Sequence, residues 1–165
     1  MTDRVAYVVG IRIDPGTEVA DWFTVWFEDD AGQNWVVSSD GRAQWSRTVE
    51  DARQLASTVL ENRYAVGPTV DSICDVAASL YAIATGETGS EGVVLMCLNL
   101  LDDVLNTIGH ASDLPNAEVL DRLVTLITEG EPLTTAVDRV GGKPAAIEPI
   151  VASLGRLFTW STFRC

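Results

Sequence analysis

The residues able to do chemistry are few. One histidine, His110, sits in 106-NTIGHASDLP-115 at what reads as a helix end. A lone imidazole cannot build a zinc site without cysteines or further histidines at matched spacing, and the three cysteines, Cys74, Cys97 and Cys165, form no CxxC pair. Nucleophilic catalysis needs an activated serine or cysteine with a base beside it. No GxSxG occurs, and Cys74 and Cys97 fall on apolar stripes where a thiol behaves as a small hydrophobe. Phosphate cradles are missing too. Neither GxxxxGK[ST] nor GxGxxG is present, and Gly86, Gly89 and Gly92 lead into an apolar helix without lysine.

Carboxylates offer somewhat more. Asp71 and Asp75 lie four apart, which puts them on one face if the segment is helical, and Asp102-Asp103 opens the polar half of another helix. Were those helices antiparallel neighbours, three of these carboxylates could converge on a magnesium ion. The simpler reading gives Asp71 to a helix N-terminus, where the dipole favours an anion, and the rest to solvent. We expect no metal and no cofactor, with Asp71, Asp75, Asp102 and Asp103 as the alternative site.

The other concentration is aromatic. The stretch 21-DWFTVWFEDDAGQNWVVSSDGRAQW-45 carries four of the chain's five tryptophans, with five carboxylates and one arginine. Alternation along 21–28 puts Phe23, Val25 and Phe27 on one face and Trp22, Thr24, Trp26 and Glu28 on the other. The first face suits a core. The second is either covered by a later part of the chain or left as a patch, and exposed aromatic patches usually mark interaction sites. With Asp29 and Asp30 in the following turn, Trp22, Trp26, Glu28, Asp29 and Asp30 form the candidate partner-binding set.

The elements that position these residues change period partway along the chain. Residues 4–13 read as a β-branched strand closed by Asp14-Pro15-Gly16-Thr17, and strands follow at 21–28 and 35–39, with a short fourth reaching Trp45. Thr48 and Asp51 form a capping-box pattern for a helix over 49–64. Gly67-Pro68 ends that unit. Thr69 then caps a helix to Thr85, with Val70, Ile73, Cys74 and Ala77 spaced by three and four. Further helices are expected over 93–109 (apolar all round in its first half, hence buried), 115–129, 132–140 and 144–158, while 159–165 has no clear form. The predicted fold is α+β: an antiparallel meander of three or four strands plus one helix over 1–67, then a mostly helical region over 68–165 packed against it as one unit.

Bulk properties bound the function. The 165 residues carry a net charge of −13, with Lys143 as the only lysine. A chain without a basic stripe is a poor ligand for nucleic acid or an anionic membrane surface. Its charge suits solubility and steers basic partners toward it. Residues 1–10 hold no signal-peptide pattern, and 93-VVLMCLNLL-101 is too short to span a bilayer, which takes ~20 apolar residues. We therefore expect a cytoplasmic protein with reduced thiols that works without catalysis. It would bind another protein, a basic or nucleic-acid-binding one, as an inhibitor of immunity-protein or phage anti-defence type. The alternatives are a small enzyme or ligand binder using the carboxylates, or a structural subunit of a larger assembly.

Overall fold

The computed structural model describes residues 4–165. It shows an α+β fold in which one sheet is covered on one face by a single helix and on the other by five. The strands are β1 (Arg4–Arg12), β2 (Trp22–Glu28), β3 (Asn34–Val36), β4 (Ser38–Ser39) and β5 (Arg42–Ser46), followed by helix α1 (Val49–Val59). Then come β6 (Tyr64–Asp75), α2 (Val76–Thr85), α3 (Glu91–Ile108), α4 (Ala117–Thr128), α5 (Leu133–Arg139), α6 (Lys143–Thr159) and β7 (Ser161–Arg164). The sheet runs β4-β5-β2-β1-β6, with β3 also paired to β2 and β7 to β5.

The expected meander forms its antiparallel part, but the sheet is mixed. β6 lies parallel to β1 and β7 parallel to β5. The helix expected from Thr69 to Thr85 is thus half strand. Its true start is Asp75, whose carboxylate accepts the Ala78 N–H at 2.8 Å as the N-cap of α2. The three-and-four spacing of Val70, Ile73, Cys74 and Ala77 arises where a strand's end runs directly into a helix. Gly67 and Pro68 do not separate two units, because both lie inside β6. Opposite Tyr7 the register jumps from Ala6↔Val66 to Val8↔Val70, so Gly67, Pro68 and Thr69 bulge out of the ladder. Proline is tolerated there because β6 ends the main path of the sheet and the bulge asks no donor of it. Asp71 is a second extra residue, and its Oδ2 accepts the Val8 N–H at 3.1 Å where the ladder is interrupted.

Strand parity divides the interior as alternation requires. Phe23, Val25 and Phe27 face α1, packing with Ala6, Val8, Ala52, Ala56 and Leu60. Thr48 caps α1 as expected, donating to Asp51 Oδ2 at 2.7 Å and accepting the Asp51 N–H at 3.1 Å. The opposite face, with Val9, Ile11, Val36 and Trp45, meets the larger core built by α2 to α6. There α3 crosses the sheet obliquely. Cys97 lies against Cys74 of β6, Asp103 bonds Trp26 of β2, and the Thr107 hydroxyl accepts the Val36 N–H of β3 at 3.0 Å. Among the described residues no helix is long and apolar enough to cross a membrane.

Candidate functional site

Because α3 runs across the strands, it leaves part of the sheet beside it uncovered. Along that side lies a groove of about 710 Å³. Its wall is the stripe Gly92, Met96, Asn99 and Asp103 of α3, one helical face at spacings of three and four. Its floor is Tyr7 and Val9 of β1 with Trp26 of β2, and Asp71 and Ser72 of β6 close one end. A second hollow of about 700 Å³ shares Tyr7 and Trp26 and continues over Val5, Glu28, Asp29 and Asp30. The surface exposes large apolar side chains side by side: Val5, Tyr7 and Met96 are 47%, 38% and 42% exposed. Met96 and its neighbour Val93 belong to the helix half expected to be wholly buried, and their exposure corrects that reading.

Trp26 holds the two hollows together. Its ring packs on Tyr7 with centroids 5.7 Å apart and planes at 43°, and its Nε1–H donates to Asp103 Oδ2 at 2.9 Å. Burial raises the Asp103 carboxyl above its ordinary range; the Trp26 hydrogen bond opposes that shift and neighbouring Asp102 adds to it. Asp102 is raised as well, by desolvation and by the charge of Asp121 across the helix pair, although water reaches it. Asp29 is held in the opposite sense. It accepts the Gln33 N–H, the Trp35 Nε1–H and the Ala31 N–H at 2.9, 2.8 and 2.9 Å, and these bonds lower its pKa. Asp30 pairs with Arg4 at the outer lip.

Of the five residues singled out as a partner surface, Trp26, Glu28, Asp29 and Asp30 line one hollow. Trp22 does not. At the far end of β2 the Arg47 guanidinium sits 4.2 Å above its ring, and Phe163 of β7 meets it edge-on at 4.8 Å. The tail that sequence left without form is what covers it. The remaining three indoles are held within the fold: Trp35 donates to Asp29 Oδ2 at 2.8 Å, Trp45 is fully buried and donates to Ser161 Oγ at 3.1 Å, and Trp160 stacks on His110 at 4.3 Å. His110 also meets Asp113 at 3.0 Å, which accounts for it as a turn residue.

The four carboxylates do not assemble a cation site. Asp71 and Asp75 lie on a strand and its end rather than on a helical face, and Asp75 is turned to Arg12 at 3.2 Å and to its capping bond. Asp71, Asp102 and Asp103 all line the groove, yet among the described residues no group of three acidic, histidine or cysteine side chains is close enough to hold a metal ion. Cys74 and Cys97 are both buried against each other, and the contact with Cys97 together with burial pushes the Cys74 thiol well up. Six carboxylates and one guanidinium surround an aromatic and apolar floor.

No family model matches the chain, and no curated protein matches it in sequence. Among solved structures it is similar to the crystal structure of the SatS C-terminal domain in complex with bromine, with a TM-score of 0.59 and 13% identity over 96% of this chain and 93% of that one. The likeness shows the fold alone. It supports an α+β domain and assigns no residue a role.

The sequence did carry part of the signal for this groove. Strand parity put Trp26 on the face opposite Phe23, Val25 and Phe27, and the same parity in β1 puts Val5, Tyr7 and Val9 together. Missing was the path of α3, which decides that Val9 is covered while Tyr7 and Val5 are not.

Proposed function

We propose that this chain works by binding a basic protein in the groove beside α3, without catalysing a reaction. The observation that carries the reading is the lining of the groove itself. An exposed aromatic floor buries area on association, and the carboxylates around it attract cationic side chains while repelling acidic proteins. The net charge of −13 extends the same preference to long range. Inhibition by occupying a basic functional surface, in the manner of immunity or anti-defence proteins, is the form of action this chemistry serves best. A photoreactive benzoyl-phenylalanine placed at Tyr7 tests it in the cell of origin. The expected product is a cross-link to one basic protein, lost when Asp102 and Asp103 are both changed to asparagine and absent when the probe replaces Glu148 on α6. A cross-link from position 148 with none from position 7 would refute the groove as the binding face.

A second reading has its own support. The volume of about 710 Å³ falls in the roughly 300–1,000 Å³ range of small-ligand sites, and its charge would select an organic cation. A melting temperature raised by several degrees on adding a polyamine, with the rise lost on Trp26→Ala, favours that reading over a protein partner.

A further inference from the structure

Resting on the groove reading above, we infer that the occupant is a cationic amphipathic α-helix lying alongside α3. The floor settles the form of the backbone. β1 is paired on both edges, to β2 and β6, and β2 is paired to β1 on one side and to β3 and β5 on the other. Their peptide groups are committed to the sheet, or at the β6 bulge to a side chain, since Asp71 Oδ2 takes the Val8 N–H, so the floor presents side chains only. A segment laid across it finds no backbone partner, and an extended chain would leave peptide N–H and C=O groups unpaired against Tyr7 and Trp26. A helix brings its own hydrogen bonds and therefore suits the face of a sheet, whereas a strand suits an edge.

The wall agrees with the floor. Gly92, Met96, Asn99 and Asp103 form a stripe with a small residue at one end and a carboxylate at the other. A Cβ added at Gly92 would meet nothing within 4 Å, so this end of the wall is open to the close approach of a second helix. The charges choose the sign. Among the described residues, the groove proper is lined by Asp71, Asp102 and Asp103 and by no lysine or arginine, so the helix that fits carries leucine-like anchors at i, i+3, i+4 and i+7 flanked by lysine or arginine.

Three synthetic peptides of about 18 residues test the inference. The first is built from leucine, lysine and alanine with helical spacing of the leucines. The second has the same composition with leucines alternating, and the third repeats the first with glutamate for lysine. Anisotropy of the dye-labelled peptides is read at about 0.05 M and 0.3 M salt. The helical cationic peptide is expected to bind with a micromolar dissociation constant, at least about tenfold tighter than the alternating one, and the glutamate peptide not at all. Gly92→Trp fills the open end of the wall from an exposed position, and it should weaken binding about tenfold with an unchanged urea midpoint. The Asp102→Asn/Asp103→Asn double variant should also weaken binding about tenfold, with a urea midpoint that is not lowered, and flatten the salt dependence. Equal binding by the alternating peptide, indifference to Gly92→Trp, or no binding of the helical peptide each overturns the helix. If position 7 still cross-links a basic protein, only the helix has failed; if it does not, the groove reading fails with it.

Discussion

Trp26 is the residue on which the groove reading can be put at greatest risk, because the structure gives it two roles whose energies add in a known way. Truncating a fully buried aromatic to alanine costs about 3–5 kcal/mol. Trp26 is half-buried, packed on the helical core by one part of the ring and open to the groove by the other, so about 2 kcal/mol is the share due to packing. Its Nε1–H bond to Asp103 is charge-assisted but reached by solvent, which limits it to about 1 kcal/mol or less. Trp26→Ala is then expected to cost about 2–3 kcal/mol. Trp26→Phe keeps most of the ring area and the Tyr7 contact and loses the donor, so it should cost about 1 kcal/mol. Trp45→Ala serves as the reference, since Trp45 is fully buried and satisfied by Ser161; it should cost the full 3–5 kcal/mol, or about that.

Urea melts at fixed pH and salt read all three. With a slope of about 2 kcal/mol/M, Trp26→Ala lowers the midpoint by about 1.3 M and Trp26→Phe by about 0.5 M, both with the slope unchanged. A loss equal to that of Trp45→Ala would make Trp26 an ordinary core residue and remove the floor of the groove. A loss below about 0.5 kcal/mol would mean that the ring is not seated between sheet and α3 at all. Either result refutes the half-seated geometry on which the binding surface depends.

Asp103 gives a pH test. Its native pKa is raised by burial, so the native state holds that proton more tightly than the unfolded chain does, and the associated stability is full below the unfolded value and is lost as pH rises through the native one. Asp103→Asn keeps an acceptor for Trp26 without the charge, so it should raise the urea midpoint at about pH 7 and change it little at about pH 3. A midpoint lowered equally at both pH values would show instead that the ionised hydrogen bond outweighs desolvation. Asp71→Ala removes the acceptor of the Val8 N–H inside a bulged ladder, and a buried donor left unpaired costs about 1–3 kcal/mol. Hydrogen exchange of the Val8 amide should speed up well ahead of its neighbours in β1; unchanged protection there would show that the carboxylate does not hold the bulge.

How much of this was legible in the sequence follows from the range of each interaction. β1, β2, β5, the start of α1 and the helices from α3 onward fall within a few residues of where alternation, turn residues and caps put them, because those signals act between neighbours in the chain; α1 itself stops at Val59, short of the expected residue 64, where Glu61 and Asn62 take positive φ and lead into β6. β6 and β7 are the failures, and both pair in parallel with strands far away in sequence. Nothing local marks such a partner. In β6 the local marks even point elsewhere, since Gly67-Pro68 reads as a break but is a bulge, and Asp71 reads as a helix-end anion but replaces a ladder bond. The site divides in the same way. Parity and the Asp29-Asp30 turn were enough to bring Trp26 together with its acidic neighbours. They were not enough to separate it from Trp22, since the cover over Trp22 arrives from Phe163, at the other end of the chain.

The arrangement also sets a cost on this aromatic floor pairing with a second copy of itself. A two-fold dimer through this face would set Val5, Tyr7, Trp26 and Met96 against their own copies, which area alone would favour. It would also bring two sets of six carboxylates into one interface, with Arg4 already engaged by Asp30 in each chain. Like charges facing one another across a desolvated patch cost several kcal/mol, enough to cancel the gain from modest apolar burial. The same ring of acids that disfavours a second copy is what the proposed cationic segment would be drawn to. In that proposed mode, specificity would rest as much on what the rim repels as on what the floor attracts.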